Sequence, residues 1–98
     1  MARIIWSRQA SEDLHDIIEY ISRDSPTTAR RFARKLIARV DLLKRLPLTG
    51  GFVLEDATRT YRELIQGNYR IIYRSDGNVV FIVTVRHAAR LLRAEDLE

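Results

Sequence analysis

Residues 61–87 decide the fold of this chain, and they read YRELIQGNYRIIYRSDGNVVFIVTVRH. Three runs rich in β-branched and aromatic residues, at 61–65, 69–74 and 79–85, are separated by short polar joins that contain glycine. Such runs are typical of strands connected by tight turns. The Asp-Gly pair between the second and third runs is a strong hairpin signal, because a two-residue turn needs positive φ. The stretch therefore predicts a three-stranded antiparallel meander.

A two-residue turn on that Asp-Gly pair fixes the register of the second hairpin. It places Arg74 opposite Val79 and Arg70 opposite Val83. The two-residue period of a strand adds three more side chains to the face of Arg70, namely Glu63, Val85 and His87. One face of the sheet is therefore predicted to carry arginines, a carboxylate and a histidine among apolar neighbours.

A strand and two amphipathic helices are predicted before the meander. The short apolar run at 3–6 predicts the strand, and apolar positions spaced by three and four predict a helix over residues 7–23. Ser25 and Pro26 then restart the chain as N-cap and first helical residue, and a second apolar stripe continues to residue 43. The two helices are expected to form an αα-hairpin with one acidic and one basic member.

The two remaining segments show no clear period. The sequence predicts a loop at residues 47–59. At residues 88–98 it predicts either a short helix with Leu91 and Leu92 inward or a frayed end. The order of strand, helical hairpin and three strands is an α+β pattern, in which the hairpin packs on one face of the sheet. The better candidate for that face carries Tyr69, Ile71, Tyr73, Val80 and Ile82. The face of Arg70 is then partly open.

Composition restricts the class of protein. With 98 residues and 46% apolar content, we expect a single domain over residues 1–98. The absence of cysteine excludes disulfides and thiolate metal sites. The net charge is +4, and fifteen of the seventeen basic residues are arginine, which suits a polyanion or an acidic protein as partner; a solvated basic surface is the alternative. No apolar run is long enough for a signal peptide or a membrane span, so we expect a soluble cytoplasmic protein without a membrane partner.

Short motifs over almost the whole chain add a family resemblance. In chain order they are IIWS at 4–7, Asp13-Leu14, IIEYI at 17–21, Ser25-Pro26 with Ala29, Leu46-Pro47, Gly50, REL at 62–64, NYRIIYR at 68–74, VRH at 85–87 and Arg90. In these motifs and their spacing the chain resembles the RelE/ParE superfamily of toxins from bacterial toxin-antitoxin pairs. The resemblance implies the strand, αα-hairpin and meander fold. It also implies a cytoplasmic protein that arrests growth and forms a hetero-oligomer with a neutralising antitoxin.

The superfamily has two known activities. RelE-like members cleave messenger RNA in the ribosomal A site, with basic residues on the open sheet face and a histidine or tyrosine near the chain end. ParE-like members lack that set and inhibit DNA gyrase. Arg70 matches the central-strand arginine of many nuclease members and His87 lies near their terminal residue, but no tyrosine follows Tyr73 and the long hairpin resembles ParE. Gyrase inhibition therefore ranks first, ribosome-dependent RNA cleavage second and a non-toxic binding module of the same fold third.

Cleavage of RNA by its own 2′-hydroxyl defines the candidate catalytic residues. Such cleavage needs a base, an acid and a cation, but no metal or other cofactor. Glu63 or His87 is the candidate base, His87 the acid, and Arg70 with Arg74 or Arg86 the phosphate clamp. The structural alternative is a half-exposed cross-strand pair of Arg70 with Glu63, which would contribute about 0.2 to 1 kcal/mol. The candidate residues for binding a target or nucleic acid are Arg62, Arg70, Arg74, Arg86 and Arg90.

Two further patterns in the sequence indicate a solvated face on the first helix and a groove for a partner on the sheet. His15 lies among carboxylates on the first helix, yet without a second histidine this predicts a solvated face and no metal site. The apolar residues on both faces of the second hairpin exceed what one helical layer covers. The sequence therefore predicts an apolar, arginine-lined groove that an antitoxin segment fills.

Overall fold

The computed structural model describes residues 1–97 of the 98-residue chain. The elements, in chain order, are β1 (Arg3–Trp6), α1 (Arg8–Asp24), α2 (Pro26–Asp41), a 3-10 turn (Leu42–Lys44), β2 (Gly51–Phe52), β3 (Arg62–Gln66), β4 (Tyr69–Ser75), β5 (Val79–His87) and a second 3-10 turn (Ala94–Leu97). The five strands form one sheet in the order β1-β5-β4-β3-β2. The predicted α+β architecture, with a first strand, a helical hairpin and an antiparallel meander, is confirmed.

Side-chain caps fix the beginnings of both helices. Ser7 Oγ accepts the N–H of Ala10 at 2.9 Å and donates to the carbonyl oxygen of Val83 at 2.8 Å, which ties the start of α1 to the sheet. Ser25 Oγ accepts the N–H of Thr28 at 3.1 Å, directly before the proline that opens α2. The predicted N-cap position of Ser25 is therefore confirmed.

The sheet contains two pairings that the sequence pattern did not indicate. Strand β1 pairs in parallel with β5, so the first strand of the chain lies beside the last one. Strand β2, at Gly51–Phe52, pairs antiparallel with β3 inside the segment predicted to be a loop. Both additions place a short edge strand on the meander, one on each side.

The second hairpin closes in a different register from the one predicted. Arg74 pairs with Phe81, so the expected pairing with Val79 is wrong. The cause is Asp76, whose Oδ1 accepts the N–H groups of Asn78 at 3.1 Å and Val79 at 2.8 Å. These side-chain bonds accompany a two-residue turn on Gly77 and Asn78, one position later than predicted, in which the N–H of Asp76 donates to the carbonyl oxygen of Val79 at 3.1 Å.

A β-bulge changes which side chains share a face with Arg70. The register of β4 with β5 shifts by one residue after the fourth residue of β4, and Val83 is the extra residue. Arg70 lies opposite Arg86, so its predicted pairing with Val83 is wrong. A one-residue shift moves the later side chains of β5 to the other face. Val85 is consequently in the helix-packed core and His87 lies opposite Tyr69, contrary to the prediction.

Both faces of the sheet carry a buried apolar cluster. The helices pack on the predicted face, whose buried members from β4 and β5 are Ile71, Tyr73, Val80, Ile82 and Val85. On the opposite face, Val53, Ile72, Val83 and Leu92 form a second buried cluster, against which Tyr61 and Leu97 pack. The Arg70 face is partly open, as expected, beside β3, where Ile65 is 46% exposed on a groove that Arg70 also lines, but Arg70 itself is buried by the loop after β2 and the C-terminal segment.

The C-terminal segment, residues 88–97, supplies part of that cover. Leu92 is 7% exposed, whereas Leu91 is 78% exposed, so only one of the two leucines predicted to point inward does so. A single 3-10 turn lies where a short helix or a frayed end was predicted, and Glu98, the last residue of that segment, lies outside the described residues. Within residues 1–97 no helix has the length and apolar character needed to cross a membrane.

Candidate functional site

Arg70 is the centre of a cluster of charged side chains, the Arg70 cluster, which also contains Glu55 and Glu63. Arg70 Nη1 and Nη2 donate to the two carboxylate oxygens of Glu55 at 2.8 and 2.9 Å, in a bidentate arrangement. Its Nε donates to Glu63 Oε2 at 2.6 Å. Strand β4 provides the arginine, β3 provides Glu63, and the loop after β2 provides Glu55. The predicted contact of Arg70 with Glu63 is confirmed, and a second carboxylate completes it.

Burial gives this cluster its electrostatic character. Arg70 is 6% exposed, so the expectation of a half-exposed pair is wrong. The guanidinium of Arg70, helped by the N–H of Leu92, lowers the pKa of Glu55 from 4.5 to about 2, although partial burial acts in the opposite direction. The hydrogen bonds that Arg70 donates to Glu55 and Glu63 raise the pKa of Arg70, while its burial acts in the opposite direction. Glu55 and Arg70 are therefore both charged at neutral pH.

The C-terminal segment is fastened to the Arg70 cluster and to β5. The N–H of Leu92 donates to Glu55 Oε2 at 3.0 Å, and Arg70 Nη1 also reaches the carbonyl oxygen of Arg90 at 3.4 Å. Farther along, Arg86 Nη2 is 3.0 Å from Asp96 Oδ1, and both side chains are mostly buried. The Arg70 cluster thus connects three parts of the chain that are distant in sequence.

His87 lies apart from the Arg70 cluster, on the helix-packed side. Its ring meets the edge of Tyr69 with the centroids 5.5 Å apart, and its Nδ1 accepts the N–H of Ala89 at 3.2 Å. It borders a cleft of about 360 Å³ between α1 and the end of β5, which is also lined by Asp13, Asp16, Arg86 and Arg90. The structure brings Arg70 and Glu63 together but does not bring His87 to them.

Of the other predicted binding arginines, Arg86 and Arg90 line the same cleft, whereas Arg62 and Arg74 do not line it. Arg62 donates to the carbonyl oxygen of Gly50 at 2.8 Å and stacks on Phe52 at 4.1 Å from the ring centroid. Arg74 stacks on Phe81 at 4.1 Å. Arg90 is exposed, in contrast to the mostly buried guanidinium of Arg86. The five arginines therefore do not form one continuous binding face.

Comparison with known proteins identifies the family. The family model described as "ParE toxin of type II toxin-antitoxin system, parDE" matches residues 4–92. The chain belongs to this family. A curated relative, "Toxin RelE2" of Caulobacter vibrioides, is 41% identical over 93 residues, which cover 93% of this chain and 100% of the relative. The predicted membership of the RelE/ParE superfamily is thereby confirmed.

Solved structures agree with the fold of this ParE-family toxin. A chain of the chromosomal ParDE toxin-antitoxin system from P. aeruginosa superimposes with a TM-score of 0.72 at 20% identity, covering 89% of this chain and 96% of that one. A chain of the toxin-antitoxin complex RelBE2 from Mycobacterium tuberculosis gives a TM-score of 0.63 at 24% identity, with coverages of 88% and 96%. At these identities the likeness concerns the fold alone.

Two acidic residues of this ParE-family toxin form hydrogen bonds to the sheet that the sequence did not predict. Glu55 lies in a segment without periodicity, and nothing in its sequence neighbourhood indicated a bond to Arg70. Asp13 was noted only as part of the Asp13-Leu14 motif, yet its Oδ2 accepts from the hydroxyl of Thr84 and the N–H of Val85. Only the three-dimensional position of β5 relative to α1 makes the second role visible.

Metal ligation has no support in the described part of this toxin. Residues 1–97 contain no group of three or more histidine, cysteine or acidic side chains suited to hold a metal ion. His15 instead forms an exposed contact with Glu19, 3.1 Å between Nε2 and Oε2 on successive turns of α1. The arrangement at the Arg70 cluster is accordingly a hydrogen-bonded ion cluster built from side chains of the protein.

Proposed function

We propose that residues 1–98 act as a single toxin domain that arrests growth by inhibiting DNA gyrase, as ParE-like toxins do. The observation that carries this proposal is the separation of the nuclease candidates. Each guanidinium nitrogen of Arg70 donates to Glu55 or Glu63, so its fork is directed at these carboxylates and not at a substrate phosphate. His87 lies beside Tyr69 on the other side of the sheet. General acid-base cleavage requires the acid, base and cation within hydrogen-bond reach of one phosphate.

Ribosome-dependent cleavage of messenger RNA is the second candidate function. The relative from Caulobacter vibrioides carries the name RelE2. At 41% identity it is more similar in sequence to this chain than the two solved structures are, at 20% and 24%. The cleft beside His87 also places Arg86 and Arg90 near an exposed imidazole. A nuclease of this kind would therefore use the cleft between α1 and β5 rather than Arg70 and Glu63. A non-toxic binding module with the same fold is the third candidate.

We further propose that a cognate antitoxin binds this chain and forms a hetero-oligomer with it. The structural neighbours come from a ParDE system and from a RelBE2 complex, which supports an antitoxin as partner. Exposed apolar side chains support it as well, since Leu54 is 95% exposed and Leu91 78% exposed on the same groove. Co-expression with the neighbouring reading frame should yield a stable complex. A well-behaved monomer that binds no neighbour-encoded peptide would contradict this proposal.

The gyrase and ribosome hypotheses are separated by testing both targets with one preparation. We expect the purified toxin to inhibit DNA supercoiling by gyrase and to leave messenger RNA on arrested ribosomes intact. In cells, its expression should activate the DNA-damage response. Toxin mixed beforehand with its antitoxin is the control and should be inactive in every assay. Cleaved messenger RNA together with unchanged supercoiling would refute gyrase inhibition.

A further inference from the structure

The C-terminal segment has few apolar anchors for its length. Leu92 and Leu97 pack against the second cluster, while Leu91 remains exposed. The turn at Ala94–Leu97 has the mostly polar sequence AEDL. Much of the attachment is therefore polar, and segments held in this way are the ones that open locally before a protein unfolds.

One carboxylate connects this segment to the sheet. Glu55 Oε2 accepts from Arg70 Nη1 and, at the same time, from the N–H of Leu92. Glu55 Oε1 takes Arg70 Nη2, and Glu63 takes Arg70 Nε. Each nitrogen of the guanidinium thus has a carboxylate partner, and the carbonyl oxygen of Arg90 lies against Nη1. The fork is closed by Glu55, by Glu63 and by the backbone of the C-terminal segment.

We propose that Glu55 is a latch, which fastens the C-terminal segment over the sheet and closes Arg70 to anions in solution. Any anionic group of a partner meets Arg70 only after the latch opens and the segment lifts. This inference goes beyond the proposed function and applies to either target. The contact of Arg86 with Asp96 is a second, independent tie that holds the outer part of the segment.

The full-length variant Glu55→Gln tests the latch, because glutamine keeps the size and removes the charge. The matched control is Glu95→Gln in the same segment, where the carboxylate is 67% exposed and 3.9 Å from Arg93. Opening is followed by hydrogen exchange of residues 88–97 and by trypsin cleavage after Arg90 and Arg93. Accessibility of Arg70 is followed by phenylglyoxal labelling, mapped by mass spectrometry.

In Glu55→Gln we expect exchange and cleavage in the C-terminal segment to accelerate about tenfold to a hundredfold, as the loss of charged hydrogen bonds predicts. Labelling of Arg70 should rise with them, while Arg93 labels rapidly in every variant. Glu95→Gln should behave like the wild type. An unchanged segment in Glu55→Gln, or faster labelling of Arg70 without segment opening, would overturn the latch.

Two further measurements do not depend on the folding of Glu55→Gln. Asp96→Asn should loosen residues 93–97 and leave the amide of Leu92 protected. In the wild type, the amides of Leu92 and Asp96 should exchange faster than those of β4 and β5. Exchange of all these amides at one common rate would mean that the segment opens only by global unfolding, and the inference would fail.

Discussion

The two faces of the sheet are held in different ways. On the helix-packed face, Ile71, Tyr73 and Ile82 are fully buried among apolar side chains of α1 and α2. On the opposite face, a smaller apolar cluster surrounds the buried guanidinium of Arg70. Apolar burial is non-directional and tolerates small shifts, whereas charged hydrogen bonds need fixed geometry. The helix-packed face therefore stabilises the whole fold, and the Arg70 face positions particular segments.

The largest loss of stability is expected from truncation on the helix-packed face. Ile71→Ala should lower the free energy of unfolding by about 2 to 5 kcal/mol, because it leaves a cavity in a fully buried site. The matched control is Ile65→Ala on neighbouring β3, where the side chain is 46% exposed and the loss should stay below about 1 kcal/mol. Urea unfolding followed by circular dichroism measures both. Similar losses in the two variants would contradict the assigned faces.

The next largest effect is expected from Arg70→Met. Removal of the guanidinium leaves two carboxylates, 19% and 22% exposed, without their cation. We expect a loss of about 2 to 3 kcal/mol, below the full cost of breaking a completely buried ion pair. This exceeds the value that a half-exposed pair would give. Adding Glu55→Gln and Glu63→Gln to Arg70→Met should recover part of the loss, since no unpaired charge then remains. A triple variant less stable than Arg70→Met would contradict this account.

The sequence predicted the elements of this fold well, because their signals are local. Apolar periodicity located both helices, and Ser25 with Pro26 located the break between them. The motif residue Gly50, by contrast, is explained only by contacts with residues distant in sequence. A Cβ at that position would lie 2.5 Å from the carbonyl oxygen of Glu63, and the Gly50 N–H donates to the hydroxyl of Tyr73 at 2.8 Å.

The composition of the site could not be predicted, because it depends on one extra residue and one distant partner. The bulge at Val83 reverses the faces of β5, and alternation alone cannot show where a strand gains a residue. That reversal separates His87 from Arg70. Glu55 contacts Arg70 from a loop fifteen positions earlier, and no periodic pattern places a loop side chain. The predicted contact of Arg70 with Glu63 was correct because it follows from parity within one hairpin.

The pH dependence of stability provides a more selective test of the Arg70 face. The folded-state pKa of Glu55 is about 2, below its ordinary value of 4.5, so the folded protein binds this proton less readily than the unfolded chain. The stabilisation is complete above pH 4.5 and is lost as the pH falls towards 2. Comparison of wild type with Glu55→Gln by chemical unfolding should therefore show a difference that shrinks over this range. We expect a smaller effect than for Arg70→Met, because Glu63 still pairs with Arg70. A difference independent of pH would contradict the role of Glu55.

The smallest effect on stability is expected from His87→Ala. The imidazole is exposed. It meets the edge of Tyr69, and its Nδ1 accepts the N–H of Ala89. We expect a change within about 0.5 kcal/mol, as for other surface positions, and the same for the control His15→Ala on α1.

This small structural cost makes His87→Ala informative about function. If gyrase is the target, the variant should keep its toxicity, because its fold and its Arg70 face are intact. If His87 transfers a proton during RNA cleavage, the single-turnover rate should fall by about a hundredfold or more while ribosome binding persists. His15→Ala should be neutral in both assays, which controls for the removal of an imidazole as such. Loss of growth arrest in His87→Ala alone would move the functional site to the cleft between α1 and β5, and gyrase inhibition without that cleft would have to be abandoned.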